Sequence, residues 1–367
     1  MKHKIRILYY IPGGSFSIGG ANSQLYVLLK NINKDLFDVE IIGNENLVRL
    51  QQIPGIKYTN LKKDNVIEIY KHMKAQYKSC ENQKNIMHVL SMRGLLVGVL
   101  IKLLRSKTEI KLVYTENLWT PDLHLRSRVR EVIHKTILRI ATEFVDKVIC
   151  VSNSVKEFFL QIGVGKDKLQ VIYNGIEITS SSPKSTGQNV CRFVTVGSIN
   201  WVKDHKLMLE VIKYLQENLP FVVEFIIIGT GDLKSEIEKY SREIAINNLR
   251  FLGWLDYSSL QNEVSKSAFY IQLSLSESFG VAVLEGMSLG VVPIVSNRGG
   301  LVELVNEKTG FICDLDKDFK QELKTYVQKV FPNPQLYNEI SRRVIKKSKQ
   351  FKVSCMVENY SQLYLSI

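Results

Sequence analysis

The chain has 367 residues, 45% of them hydrophobic and 23% charged, with a formal net charge of +13. This is the composition of an ordinary soluble globular protein; it excludes disordered, repeat and low-complexity classes, and the length suits two α/β domains with a cleft between them better than one core. The charge is uneven: residues 1–175 hold 27 Lys and Arg against 15 Asp and Glu, and the remainder is nearly neutral. That asymmetry points to an anionic partner for the first half, either an acidic membrane surface, a phosphate-bearing lipid acceptor or nucleic acid, with a plainly solvated surface as the alternative.

Residues 5–11 form a short apolar run that ends at Pro12-Gly13-Gly14, so it reads as a first strand and lacks the cleavage region of a signal peptide. Residues 12–22 are a glycine-rich turn ahead of an amphipathic helix at 22–33. Glycines there let backbone approach an anion and the helix start favours its charge, although a tight turn without a ligand has the same look. Strand-like runs at 6–10, 39–43, 86–90, 111–114, 147–151 and 169–173 alternate with helical stretches, which predicts a doubly wound, mainly parallel unit up to about residue 175. The longest apolar stretch, 95–104, is interrupted by Lys102 and is shorter than the ~20 residues of a membrane-spanning helix. Arg126, Arg128, Arg130, Lys135 and Arg139 accompany Val129, Val132, Ile133, Ile137, Ile140 and Phe144 at helical spacing. The plain reading is a core-packed apolar stripe with a wet basic face; the alternative is a helix that docks at a membrane interface.

The polar, turn-rich residues 180–189 mark a linker. A second alternation follows, with strands at 192–196, 222–228, 249–252, 268–275, 292–296 and 311–314, then helices at 336–350 and 351–364, the last carrying an apolar stripe of Met356, Tyr360 and Leu363. Five scattered cysteines suit reduced thiols in cytosol. Neither they nor the six histidines show metal-ligand spacing, and Asp314-Leu-Asp316 reads as a surface turn.

Residues 276–300 are the most informative segment. Glu277 and Glu285 stand eight positions apart across a Gly-containing turn that opens a helix. The helix start offers backbone N–H groups from Phe279, Gly280 and Val281 to phosphate or sugar oxygens. Glu277, on the loop, suits sugar hydroxyls; Glu285, inside the helix, suits both hydroxyls of a ribose, as an acidic residue does in dinucleotide sites. Taken alone, such a Glu pair is also what a solvated helix face looks like.

This Glu, seven residues, Glu segment resembles the signature of retaining family 4 glycosyltransferases with the GT-B fold. The strand at 268–275, Gly290-Val-Val-Pro293, Gly299-Gly300-Leu-Val-Glu303 and Thr309-Gly310-Phe311 keep that family's order and spacing, and the resemblance covers nearly the whole chain. It implies two Rossmann-like doubly wound domains facing a central cleft: an acceptor-binding domain at 1–178 and a nucleotide-sugar domain at 190–350, with a C-terminal helix at 351–367 crossing back to the first. It implies metal-independent transfer with retention from a UDP- or GDP-linked sugar, without a cofactor. The departing diphosphate takes the acceptor proton, and closure of the domains excludes water.

The resemblance also places residues. Gly19 and Gly20 would lie against the diphosphate and acceptor, Lys203 would grip the diphosphate, and Gly229 and Gly231 would approach the base. Ser278, Phe279, Gly280 and Val281 would offer amides. Two positions depart from the family. Ser198 stands where an Arg is usual, with Arg298 as a substitute; Asn117 stands where a His contacts the donor sugar, with Glu116 or His124 as other sources of that contact. His88 and Arg93 are expected to face the same cleft. Asn174-Gly175 resembles the family's hinge. The implied acceptor is a surface saccharide or its lipid-linked precursor, the location cytoplasmic and peripheral on the inner face of the membrane, and no nucleic acid is involved. The rival readings are a GT-B nucleotide-sugar epimerase and a non-catalytic, nucleotide-binding partner subunit.

Overall fold

The computed structural model describes residues 4–12, 20–43, 48–61, 66–77, 84–104, 110–117, 128–178 and 190–367. The expected linker at 180–189, Gly19, His124 and Arg126 lie outside these residues. The chain divides into two compact units, one of Met1–Gly175 with Val353–Ile367 and the other of Ile176–Lys352.

The first unit is built on β1 (Ile5–Tyr10), β2 (Phe37–Gly43), β3 (Lys57–Asn60), β4 (Asn85–Val89), β5 (Ile110–Glu116), β6 (Lys147–Cys150) and β7 (Leu169–Val171). They pair in parallel in the order β3-β2-β1-β4-β5-β6-β7. The sequence did not signal β3, because Lys-Tyr-Thr-Asn is a short, half-exposed edge strand with little apolar content. The central strands are buried along nearly their whole length, as both-face burial in a parallel sheet requires.

The second unit uses β8 (Val190–Val196), β9 (Val222–Ile228), β10 (Leu249–Gly253), β11 (Phe269–Gln272), β12 (Val292–Ser296) and β13 (Phe311–Cys313), again parallel, in the order β10-β9-β8-β11-β12-β13. Strand order therefore reverses between β1 and β4 in one unit and between β8 and β11 in the other. Ligands of open α/β sheets bind outside the carboxyl ends of strands at such reversals.

The last helix, Val353–Ser366, belongs to the first unit. It packs on the helix Gly20–Asn31 and gives Met356, Tyr360, Leu363 and Tyr364 to that unit's core. A buried polar chain ties it down: the Tyr364 hydroxyl meets the Tyr9 hydroxyl at 2.5 Å and His88 Nδ1 at 2.7 Å, and His88 Nε2 meets Thr115 Oγ1 at 2.7 Å. His88 thus sits inside β4, fully buried, and desolvation drives its pKa down to about 3. It is a neutral core histidine with no exposed surface, which corrects the expectation of a solvent-facing residue, although its ring borders a small internal cavity; Arg93 is exposed, at the start of the helix Met92–Leu104. Where the chain leaves the first unit, Gly175 N donates to Gln24 Oε1 at 3.0 Å. Ile176 N donates to Phe351 O at 3.0 Å, so the chain segments at the two junctions run side by side.

The helix Arg128–Glu143 overturns the expected inward stripe. Leu138, Ala141 and Thr142 face the core, whereas Val129, Ile133, Ile137, Ile140 and, just beyond the helix, Phe144 are exposed on the opposite side. Small and medium side chains suffice to seat it, and the larger apolar residues turn outward.

Candidate functional site

The carboxyl end of β8 runs into Gly197 and a turn to Asn200, whose side chain accepts from Lys203 N at 3.2 Å and caps the short 3-10 turn Trp201–Lys203. Asp204 then caps the helix His205–Asn218. This double capping fixes where Lys203 leaves the backbone.

From the neighbouring β11, residues 273–280 form an ordered loop, so the strand stops at Gln272, short of the expected Leu275. Leu275 N donates to Val202 O at 2.8 Å, Ser296 Oγ to Ser274 O at 2.7 Å and Gly300 N to Glu277 O at 2.8 Å. A Cβ on Gly299, which also has a φ of +57°, would stand 1.9 Å from the Glu277 carbonyl oxygen. The glycine pair is thus what lets the β12 turn clasp the Glu277 peptide. Phe279, only 1% exposed, anchors the end of the loop against Phe351.

Held in this way, the Glu277 carboxylate accepts a hydrogen bond from Lys203 Nζ. Their side chains are 17% and 22% exposed, which shields the pair from water and strengthens it beyond an open surface bridge. The helix Val281–Ser288 begins beside them. Its N-terminal position is Gly280, at φ 98°, with no side chain capping the first turn, and its first intrahelical bond is Leu284 N to Gly280 O at 3.0 Å. Amides from Val281 onward therefore precede the helical ladder and suit an anion.

Glu285 lies one turn further, half-buried, and lines a small cavity with Val196, Tyr257, Gln261, Ala282 and Leu289. Desolvation pushes its carboxyl up to about 7. Tyr257, half-exposed, is a neighbour that sequence reasoning missed. It opens the helix Tyr257–Ser265, which Asp256 caps just after Gly253 at the end of β10. A strand end, a glycine with positive φ and an aromatic in one short run were the available signal.

Other residues singled out in the sequence have the following surroundings. A Cβ on Gly229 would meet Gly197 O at 1.9 Å and one on Gly231 would meet Ile199 O at 2.3 Å. Both glycines are thus required by contact with protein backbone, reinforced by Ile199 N donating to Thr230 O, whatever they do toward a base. Ser198 is exposed on the β8 turn. Arg298 is engaged with Asp316 at 2.6 Å. Asp314 accepts from Asn297 and from Asp316 N, which makes Asp314-Leu-Asp316 a hydrogen-bonded turn. No group of three or more His, Cys, Asp or Glu able to hold a metal occurs among the described residues.

Lys203, Glu277, residues 278–281 and Glu285 are therefore gathered at the carboxyl edge of the second sheet, beside its β8/β11 reversal. Asn117 and Gly20 belong to the first unit. Asn117 follows β5 and lines a small cavity with Tyr9, Gln24, His88, Asn174 and Tyr360; Gly20 opens the helix after β1.

Comparison with known proteins agrees with this layout. The family described as glycosyl transferases group 1 matches residues 177–350, and glycosyltransferase family 4 matches residues 18–180. An Escherichia coli UDP-Gal:alpha-D-GlcNAc-diphosphoundecaprenol alpha-1,3-galactosyltransferase is 27% identical over 331 residues, covering 81% of this chain and 84% of the relative. One subunit of the Arabidopsis thaliana phosphatidylinositol N-acetylglucosaminyltransferase is 23% identical over 57% of this chain and 46% of its own length. Anabaena HepE, solved in complex with UDP-glucose, superposes with a TM-score of 0.77 at 18% identity over 99% of this chain and all of that one. Two parallel α/β units, a returning C-terminal helix and family matches that together run from residue 18 to 350 place the chain in glycosyltransferase family 4, with the GT-B fold.

Proposed function

We propose that this glycosyltransferase moves a hexose-type sugar from a nucleoside diphosphate donor to an acceptor hydroxyl with retention, without a metal, and that the acceptor is a lipid-linked saccharide of a surface polysaccharide. The observation that carries the donor assignment is the Lys203–Glu277 pair set beside the uncapped start of the helix that bears Glu285. In this reading the diphosphate lies on the amides at 279–281, Glu285 accepts the ribose hydroxyls, and Glu277 accepts hydroxyls of the sugar. Lys203 turns from Glu277 to the phosphates and stabilises negative charge as the bond from the anomeric carbon to the diphosphate oxygen breaks. The acceptor oxygen bonds to that carbon on the face the diphosphate leaves, and its proton passes to the departing diphosphate. No protein base is then needed, in contrast with the paired carboxylates of glycosidases. By resemblance, Asn117 occupies the sequence position of the family histidine that contacts the donor sugar, and it is proposed for that role. The bacterial and plant relatives, whose names both specify lipid-linked substrates, support the acceptor class. UDP-glucose in HepE supports a uridine donor.

The test is protection from thermal unfolding by a panel of nucleotide sugars, since a ligand bound only to the folded state stabilises it by mass action. One UDP- or GDP-sugar should protect, and Glu285→Ala should abolish that protection. Lys203→Ala should retain most of it while turnover falls on the order of a hundredfold or more. Protection that survives Glu285→Ala removes the ribose assignment, and normal turnover in Lys203→Ala removes the leaving-group role.

A further inference from the structure

The outward face of the helix Arg128–Glu143 carries Val129, Ile133, Ile137 and Ile140, with Phe144 just beyond, and Val129, Ile133 and Ile140 are 66%, 52% and 57% exposed. With 3.6 residues per turn, these five share one side of the helix, opposite the buried Leu138, Ala141 and Thr142. The neighbouring helix Met92–Leu104 packs against it and adds Leu96, Leu100, Leu103 and Leu104, each more than 40% exposed. Single exposed apolar side chains are ordinary, but nine large ones gathered on two adjoining helices and the residue after one of them are a grouping of the kind that marks an interaction site.

The polar groups around the patch indicate its occupant. Glu131 and Lys135 pair with each other toward the protein side of the helix. Arg130, exposed, falls at one margin of the apolar face beside Ile137; on the other side the face runs through exposed Val132 to Arg139, whose exposed side chain lies over Gly163. This is the arrangement of an interfacial helix, with apolar residues sunk into the acyl boundary and long cations reaching back to lipid phosphates. The excess of 12 positive charges in residues 1–175, against near neutrality in the rest, adds long-range attraction to an anionic surface. A second copy of the chain seated here would instead bring like-charged margins together.

We infer that this two-helix face is the surface by which the protein docks on an anionic lipid bilayer. It rests on the lipid-linked acceptor reading only for the reason such docking would be useful, and its test needs neither donor nor acceptor. Full-length protein is sedimented with phosphatidylcholine vesicles with and without phosphatidylglycerol, at low and high salt. Binding should require the anionic lipid and weaken with salt. Ile137→Asp with Ile140→Asp should lower partitioning about tenfold or more, and Arg130→Glu by a smaller, salt-sensitive factor. Both substituted isoleucines are exposed, so melting temperature and nucleotide protection should stay at the wild-type level, which separates this test from that of the active site. Ile137→Trp gives a direct reading, since its emission should shift to the blue on adding anionic vesicles. Unchanged partitioning of the double variant, or an unshifted tryptophan, overturns the inference. So does a concentration-dependent dimer that the double variant dissolves while wild-type protein ignores vesicles.

Discussion

Glu285 is held at a cost that its position explains. In the folded chain its carboxyl titrates near 7 because water is withdrawn from it, whereas its ordinary value is 4.5. Between those two values the folded state keeps a proton that the unfolded chain has lost, so stability falls as pH rises through this window and is level above it. Glu285→Gln removes the titration. The variant should gain on the order of 1–3 kcal/mol over wild type at pH 8 and little at pH 5, while losing nucleotide protection, the usual exchange of stability against function. Thermal unfolding followed from pH 5 to 8 checks this, and parallel profiles for the two proteins would refute it. If the ionised form accepts the ribose hydroxyls, nucleotide affinity should also rise with pH up to about 7 and then level off. Glu277 is placed otherwise: its carboxylate pairs with Lys203. Sequence spacing singled out both carboxylates. It could not show that Glu277 is the one paired with a lysine while Glu285 is simply desolvated, since that depends on turns from β8, β11 and β12 meeting in space.

Among the elements, most strands of both sheets were legible because a parallel sheet covered on two faces writes near-continuous apolar runs, as in Phe-Ile-Ile-Ile at the end of β9. The edge strand β3 was not, and the facing of the helix Arg128–Glu143 was read the wrong way round. Periodicity shows that a stripe exists; it does not show whether the stripe meets the core or the outside. The C-terminal helix was placed by resemblance and its apolar stripe, yet no pattern in the chain hinted that a tyrosine, a histidine and a threonine would lock it. Tyr364→Phe keeps the ring and removes the hydroxyl, leaving Tyr9 and His88 Nδ1 buried without that partner. The expected cost is about 1–3 kcal/mol in urea unfolding, against less than ~0.5 for Tyr240→Phe, whose hydroxyl is bonded at the surface. Equal small losses would mean that water or a rearranged Thr115 replaces the bond.

At the scale of the whole molecule, two units built on the same parallel plan have divided their chemistry. The second carries the carboxylates, the lysine and the uncapped helix start; the first carries the positive charge, the outward apolar helices and the helix returned from the end of the chain. A nucleotide held only by the second unit should protect that unit more than the first. Hydrogen exchange with saturating UDP, or GDP if the thermal panel selects it, tests this. Amides at 197–203, 273–285 and 297–301 should slow, by up to the ~2.7 kcal/mol that a hundredfold excess over Kd supplies. Those of β1, β2 and β4 should change little, because their opening does not release the ligand. The converse pattern, with slowing confined to the first unit, would move the donor to the other sheet and leave the Lys203–Glu277 pair as a structural bridge.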